Sequence, residues 1–416
     1  MIFERKHYLD KLISAEGNGM IKIVTGIRRC GKSFLLFNLF HNYLINKGVN
    51  STHIIELAMD DNHNKKLLNA DALLEYIDNH IVNDGDTNYV LLDEIQLVDD
   101  FVGVMLSLLH MHNVETYVSG SNSKFLSKDV VTEFRGRGWE IRVHPLSFAE
   151  YYEGVGGELL KAMNDYYTYG GLPKVAQLKS ELEKKQYLSD VYTTIYLRDI
   201  IERNHLQNEE GLMAIMRVLA SDIGTSFNAK RIVNTFQSTE HITISENTVR
   251  SYLVLLQDAF IISEAMRYNI KGRKYIGSEN KYYFEDAGIR NAILGFRQTE
   301  VSHLMENILY NALKEQGYNV DVGMVEIWEK NKDGKNVRKQ LEVDFVINRA
   351  DERVYIQSAY MLPDKEKWDQ EKRPLLTIPD GFKKVIITGE YREGNYNEDG
   401  VFVVGWYNFL LNQVML

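Results

Sequence analysis

The chain has 416 residues, enough for two or three domains with sizeable cores at roughly 150 residues each. Its composition is 44% hydrophobic and 25% charged with only 5 prolines, which excludes a disordered, fibrous or Pro-rich chain. Lys plus Arg number 48 against 58 Asp plus Glu, so the net charge of −10 excludes a uniformly basic nucleic-acid coat, though not a local basic patch.

The single cysteine, Cys30, rules out an intramolecular disulfide and a Cys-rich zinc site and points to a reducing compartment. No apolar run reaches the ~20 residues of a membrane span. The start, MIFERKHYLDKL, lacks the uninterrupted apolar stretch of a signal peptide. The expectation is a cytoplasmic protein with no membrane partner.

The first part alternates short apolar runs with helical patterns. Strands are predicted at 21–26, 53–59, 89–94, 115–121 and 140–146, and helices at 33–47 and 101–112. Short buried strands alternating with helices imply an α/β fold with a mostly parallel sheet. The segment 151–211 reads as helical with a break at Gly170, Gly171 and Pro173. Helices at 212–223, 229–236 and 246–257, followed by strands at 259–268 and 280–286, give the order of a winged helix. Val301, Leu304, Met305, Ile308, Leu309, Ala312 and Leu313 share one helical face, and Gly317 marks the stop. Strands at 340–347, 353–360, 382–389 and 400–407 then form a small α/β domain with a hairpin at its centre.

The octapeptide GIRRCGKS, Gly26 to Ser33, has the G-x-x-x-x-G-K-[ST] spacing between an apolar strand and an amphipathic helix. Its glycines let the backbone wrap a phosphate, with consecutive N–H groups and a helix N-terminus facing the anion. Gly26, Ile27, Arg28, Arg29, Cys30, Gly31, Lys32, Ser33 and Phe34 are therefore the expected ATP- or GTP-binding loop. Lys32 is expected on the β- and γ-phosphates and Ser33 on Mg²⁺. Arg28 and Arg29 have either phosphate or a neighbouring subunit as partner, and Cys30 reads as a small tolerated residue. The buried strand ending in Asp93-Glu94 supplies the second half: Asp93 for the metal and Glu94 to orient and deprotonate the attacking water. At the end of the 115–121 strand, Ser121 or Asn122 is the candidate for touching the γ-phosphate or the water. Arg135 and Arg137 are candidates for an arginine acting on the transition state from a neighbouring subunit; a surface role is the alternative.

Together GIRRCGKS, LLDEIQ, SGSNS, RGR followed by HPLSFAEYY, YGGLP, KYYFEDAGIRNAIL, ENILYNALKEQGY and EVDFVI resemble the prokaryotic AAA-superfamily ATPases with a C-terminal domain of unknown function. The resemblance covers nearly the whole chain. It implies an AAA-type P-loop core over 1–150, a helical lid over 151–210, a winged helix over 211–295 and a restriction-endonuclease-like α/β domain over 296–416, similar to PD-(D/E)xK nucleases. Lys32, Ser33, Asp93 and Glu94 take the family's nucleotide-site roles, and Arg137 matches its Gly-Arg position.

A nuclease of that fold needs an Asp on one strand, E-x-K on the next and a helical Glu. Here Glu306 and Asp344 are present, but Gln357 and Ala359 replace the Glu and Lys. The expectation is an inactive domain, with Glu342 and Asp344 as structural carboxylates and Lys365 or Lys367 as the lysines that would have to replace the missing one.

Between 267 and 281, Arg267, Lys271, Arg273, Lys274 and Lys281 face only Glu279, a local charge of 5 − 1 = +4. Beside Arg250, Tyr268 and Tyr275 this suits DNA phosphate contact; docking of a protein partner is the alternative. The leading reading is thus a Mg²⁺-dependent ATPase coupled to a winged-helix and nuclease-like module. A slow nucleotide switch comes second and an ATP-dependent nuclease third. AAA-type sites often lie between subunits, so an oligomer is open.

Overall fold

The computed structural model describes residues 1–121, 136–240, 244–297, 300–330, 334–349 and 352–413. Asn122 and Arg135 lie outside the described residues. The chain divides into two compact units. One comprises 1–145, 172–174 and 258–260; the other comprises 146–171, 175–257 and 261–416.

In the first unit, β1 (Ile21–Thr25), β2 (Ile54–Ala58), β3 (Asn88–Asp93), β4 (Val114–Ser119) and β5 (Gly138–Arg142) form one sheet in the order β2-β3-β4-β1-β5. Every neighbouring pair is parallel, as expected for such short apolar runs. Ile23, Val90, Leu92 and Val118 pack into a core with Leu73, Ile77, Met105 and Leu108 from the helices Ala70–His80 and Phe101–His110. All six residues of β3 are buried, so its acidic end emerges from the sheet at a fixed place. β4 lies between β1 and β3 and brings its serine-rich end between the phosphate loop and the acidic pair. The helical run after the loop is interrupted: Lys32–Phe34 and His41–Lys47 flank a wider π-helical stretch, Leu35–Phe40.

The second unit holds the helices Glu209–Ser221, Ala229–Thr235 and Glu246–Asp258, close to their predicted positions. Its sheet has eight strands: β6 (Ile262–Asn269), β7 (Lys274–Phe284), β8 (Asn319–Lys330), β9 (Asn336–Arg349), β10 (Glu352–Ala359), β11 (Lys383–Thr388), β12 (Asn395–Tyr396) and β13 (Phe402–Gly405). Their order is β12-β13-β11-β10-β9-β8-β6-β7. β8 was not among the predicted strands. β6 pairs with it in parallel, Arg267 beside Val322 and Asn269 beside Met324. The boundary expected at 295/296 therefore cuts through one sheet, and the 262–284 hairpin is not a free wing. The cause is backbone satisfaction: the edge of β6 finds its hydrogen-bond partners in β8 rather than in solvent.

The YGGLP segment is explained in the same unit. The Asp286 carboxylate accepts the Gly171 N–H at 2.7 Å and caps the helix Ala287–Ile293 through the Ile289 N–H at 3.0 Å. A Cβ at Gly170, whose φ is +77°, would come 2.1 Å from the Asp286 carboxylate. The Asn291 amide donates to the carbonyls of Tyr167 and Thr168, both at 2.9 Å. Burial pushes the Asp286 carboxyl up to about 6 although backbone N–H groups favour its charge. Among the described residues no helix is long and apolar enough to cross a membrane.

Candidate functional site

The loop between β1 and Lys32 is built on backbone freedom. Gly26 has φ +140°, and a Cβ there would meet the Val143 carbonyl oxygen at 2.1 Å. Gly31 has φ +102° and Arg29 φ +69°. Cys30 is fully buried and its thiol donates to the Val143 carbonyl at 3.4 Å, so it anchors the loop to the chain beyond β5. Lys32 is 4% exposed, and its ammonium donates to the carbonyls of Gly26 at 2.9 Å and Ile27 at 3.1 Å. The amine thus sits under the loop that is expected to wrap the phosphate, held by neutral acceptors. Arg29, Ser33 and Phe34 are exposed, and Arg28 is half-buried.

The acidic pair leaves β3 into this region. The Asp93 carboxylate accepts hydrogen bonds from the hydroxyls of Ser119 and Ser33. Burial raises its pKa above the ordinary carboxylate value, while the two serines and Lys32 oppose that rise. Glu94 turns the chain with a left-handed backbone, φ +53° and ψ +42°. That conformation is costly for a non-glycine residue and is retained where the surroundings hold it. The Glu94 N–H donates to Ser119 Oγ at 3.4 Å. Its carboxylate Oε2 accepts from Ser121 Oγ at 3.1 Å and from the Gln96 amide. Arg28 Nε donates to Ser121 Oγ at 3.2 Å.

The structure therefore brings together Lys32, Ser33, Asp93, Glu94, Arg28 and Ser121. It adds Ser119 as the partner of Asp93 and Gln96 as a partner of Glu94. Ser119 stood in the SGSNS motif and Gln96 in LLDEIQ, so both were visible as motif members without an assigned contact. Arg137 is exposed and precedes β5, its carbonyl accepting the Ile21 N–H at 3.0 Å. Hard oxygen donors, the Ser33 hydroxyl and the Asp93 carboxylate already in contact, fit a Mg²⁺ ion.

The second unit gathers a different set. The Lys281 ammonium lies 2.6 Å from Glu342 and 3.0 Å from Glu306. Burial works against its charge, but the two carboxylates hold it above the ordinary lysine range. Tyr283 Oη donates to Glu306 at 2.6 Å, and the Ser358 N–H donates to Asp344 at 2.7 Å. Burial, with Glu306 nearby, raises the Asp344 carboxyl well above its usual value.

One expectation is corrected here. Lys281 and Arg267 do not belong to an open basic patch: both are buried, and Arg267 pairs with Glu279 at 3.0 Å. The positive charge beside Asp344 comes from Lys281, not from Lys365 or Lys367; Lys367 pairs with Glu371 at 2.6 Å, which in turn accepts from Gln357 at 3.1 Å. Lys271, Arg273, Lys274 and Tyr275 remain exposed at the hairpin.

Comparison with known proteins gives two family matches, an AAA domain over residues 18–152 and a domain of unknown function (DUF8612) over 160–300. A Haemophilus influenzae protein, named only as uncharacterized, is 32% identical over 413 residues, 97% of this chain and 98% of that protein. A Methanocaldococcus jannaschii protein, likewise named, is 24% identical over 390 residues, 88% of this chain and 84% of its own. Among solved structures, the Aeropyrum pernix Orc1 protein in complex with DNA aligns with 70% of this chain and 92% of its own. Its identity is 10% and its TM-score 0.28, too low to carry an argument.

Proposed function

The chain belongs to the same family as the Haemophilus protein and has an AAA domain over 18–152; from this premise we propose that it is a Mg²⁺-dependent ATPase in which water attacks the γ-phosphate of ATP. The observation that carries the reading is the convergence, within one unit, of Lys32 under the loop carbonyls, Ser33 against Asp93, and Glu94 held beside them. Loop N–H groups bind the phosphates. Lys32 neutralises charge on them, at the cost of its bonds to Gly26 and Ile27. Ser33 and Asp93 would hold Mg²⁺, which supplies charge neutralisation to the phosphates. Glu94 takes the proton of the attacking water.

Arg137 is exposed, which suits an arginine serving the site of a neighbouring subunit in an assembly. We propose further that nucleotide state governs what the second unit binds. The exposed Lys271, Arg273 and Lys274 favour a nucleic-acid phosphate backbone as that partner.

Binding and steady-state hydrolysis measured on the full chain test the reading. Lys32→Ala is expected to lose ATP binding. Glu94→Gln should keep it and lower kcat at least about 100-fold, the scale of a lost general base. Normal turnover by Glu94→Gln removes Glu94 as the base. For the trans role, Arg137→Ala mixed with Lys32→Ala should recover activity that neither has alone; no recovery leaves Arg137 a surface residue.

A further inference from the structure

Glu94 has to present one carboxylate oxygen to water while its backbone occupies a left-handed turn, φ +53°. Among the described residues, both side-chain bonds to it fall on the same oxygen, Oε2: one from the Gln96 amide, one from Ser121 Oγ at 3.1 Å. Oxygen Oε2 is thereby fixed from two sides, and under the base assignment Oε1 is the oxygen that takes the proton of water. The Ser121 side is the weaker support in principle, because a hydroxyl carries one proton and rotates to suit its surroundings. Ser121 is only 3% exposed, so bulk water does not set that rotation. Arg28 does: its Nε–H donates to Ser121 Oγ at 3.2 Å and occupies an oxygen lone pair. A guanidinium N–H has no lone pair to accept the serine proton. With that side taken by a donor, the serine proton is directed at Glu94.

We propose that Arg28 is a positioning residue for Glu94, acting through the Ser121 hydroxyl. This rests on the assignment of Glu94 as base made above. The residue comes from the phosphate loop, two positions after Gly26, so the loop that binds the nucleotide also sets the orientation of the group that activates water. Charge strengthens the link, since hydrogen bonds with an ionised partner are roughly twice as strong as neutral ones. One end of this link is a guanidinium and the other a carboxylate.

The test is a double-mutant cycle on kcat in the full chain, with nucleotide affinity measured separately on each variant by titration with a fluorescent ATP analogue. Arg28→Ala and Ser121→Ala are each expected to lower kcat about tenfold, one hydrogen bond's worth of positioning. The double variant should be no slower than the slower single one, because both break the same link. Gln96→Ala, acting on the other side of Oε2, should multiply with Arg28→Ala instead. Ser121→Thr keeps the hydroxyl and should restore most of the rate lost in Ser121→Ala. If Ser121→Thr does not fold, the Arg28, Ser121 and Gln96 alanine variants decide alone. An Arg28→Ala protein with raised dissociation constant and unchanged kcat overturns the proposal and leaves Arg28 a phosphate contact. Multiplicative loss in the Arg28/Ser121 double variant overturns it as well. Full turnover in Glu94→Gln is a separate result that removes the base assignment and this proposal with it.

Discussion

Two lysines of this chain are buried to the same extent and held in opposite ways. Lys32 is 4% exposed and Lys281 is 3% exposed. Lys32 donates to two peptide carbonyls, at 2.9 and 3.1 Å; Lys281 sits between two carboxylates, at 2.6 and 3.0 Å. Carbonyl dipoles satisfy an ammonium's hydrogen bonds without cancelling its charge, so Lys32 retains an attraction for an added anion. The charge of Lys281 is already answered by Glu306 and Glu342. A buried cation next to neutral acceptors keeps its charge available, which is what the proposed role of Lys32 requires; a buried cation next to anions is a strut. The difference between the two regions is the charge of the acceptors, not the depth of burial.

Exchange of each lysine for methionine should separate these roles most sharply. Lys281→Met leaves Glu306 and Glu342 facing one another without a counter-charge. It is expected to cost about 3–5 kcal/mol, the usual penalty for removing one partner of a buried ion pair, measured by urea denaturation. Its ATP affinity should be unchanged if it remains folded. Lys32→Met should show the reverse, little lost stability and no measurable ATP binding. Equal destabilisation by both would erase the contrast.

A buried group of the opposite sign sharpens the point. Asp286 takes its hydrogen bonds from backbone groups, as Lys32 gives its own to them, and its carboxyl is pushed up to about 6. A carboxyl whose folded value lies above the unfolded one favours the fold fully below about pH 4. That contribution is lost as pH rises through about 6. Between pH 5 and 7.5 the native chain should therefore lose about 1–2 kcal/mol relative to Asp286→Asn, at 1.36 kcal/mol per pKa unit. Denaturation of both proteins at the two pH values measures this. A difference that stays constant with pH would mean that the N–H groups compensate burial after all.

The smallest expected effect concerns the cations that remain outside. Replacing Lys271, Arg273 and Lys274 with alanine should flatten the salt dependence of DNA binding by about one unit of slope per lost phosphate contact, read from fluorescence anisotropy between low and moderate salt. Unchanged slopes would place the contact elsewhere. The same DNA should stay uncut with Mg²⁺ or Mn²⁺, since Lys281 occupies the carboxylates that would hold the metal. Cleavage lost in Asp344→Ala but kept in Lys32→Ala would reverse that conclusion.

The phosphate loop and the acidic pair were legible because their chemistry is local in sequence: eight residues in one case and two adjacent carboxylates in the other. What joins them was not. Arg28 and Ser121 are 93 positions apart, and Ser121 and Glu94 are 27 apart; only the placement of β4 between β1 and β3 brings them together. The five strands of the first unit followed from short apolar runs. β8 was missed because NVDVGMVEIWEK mixes acidic residues into a strand whose far end is partly exposed, so neither a continuous apolar run nor a clean alternation marks it. The local charge sum at 267–281 misled for a related reason. Counting along the chain does not reveal that Lys281 points at Glu306 and Glu342, which are far from it in sequence.

The parallel pairing of β6 with β8 has a consequence for how this protein can be divided and inherited. A gene fragment stopping near residue 300 would encode the hairpin without the strand that closes its edge and without the acids that answer Lys281. A fragment starting there would encode those acids with no cation. Neither half is a self-sufficient piece, so recombination that shuffles one without the other yields two open edges. Any portion that passes intact from one chain to another must keep β6 to β13 together.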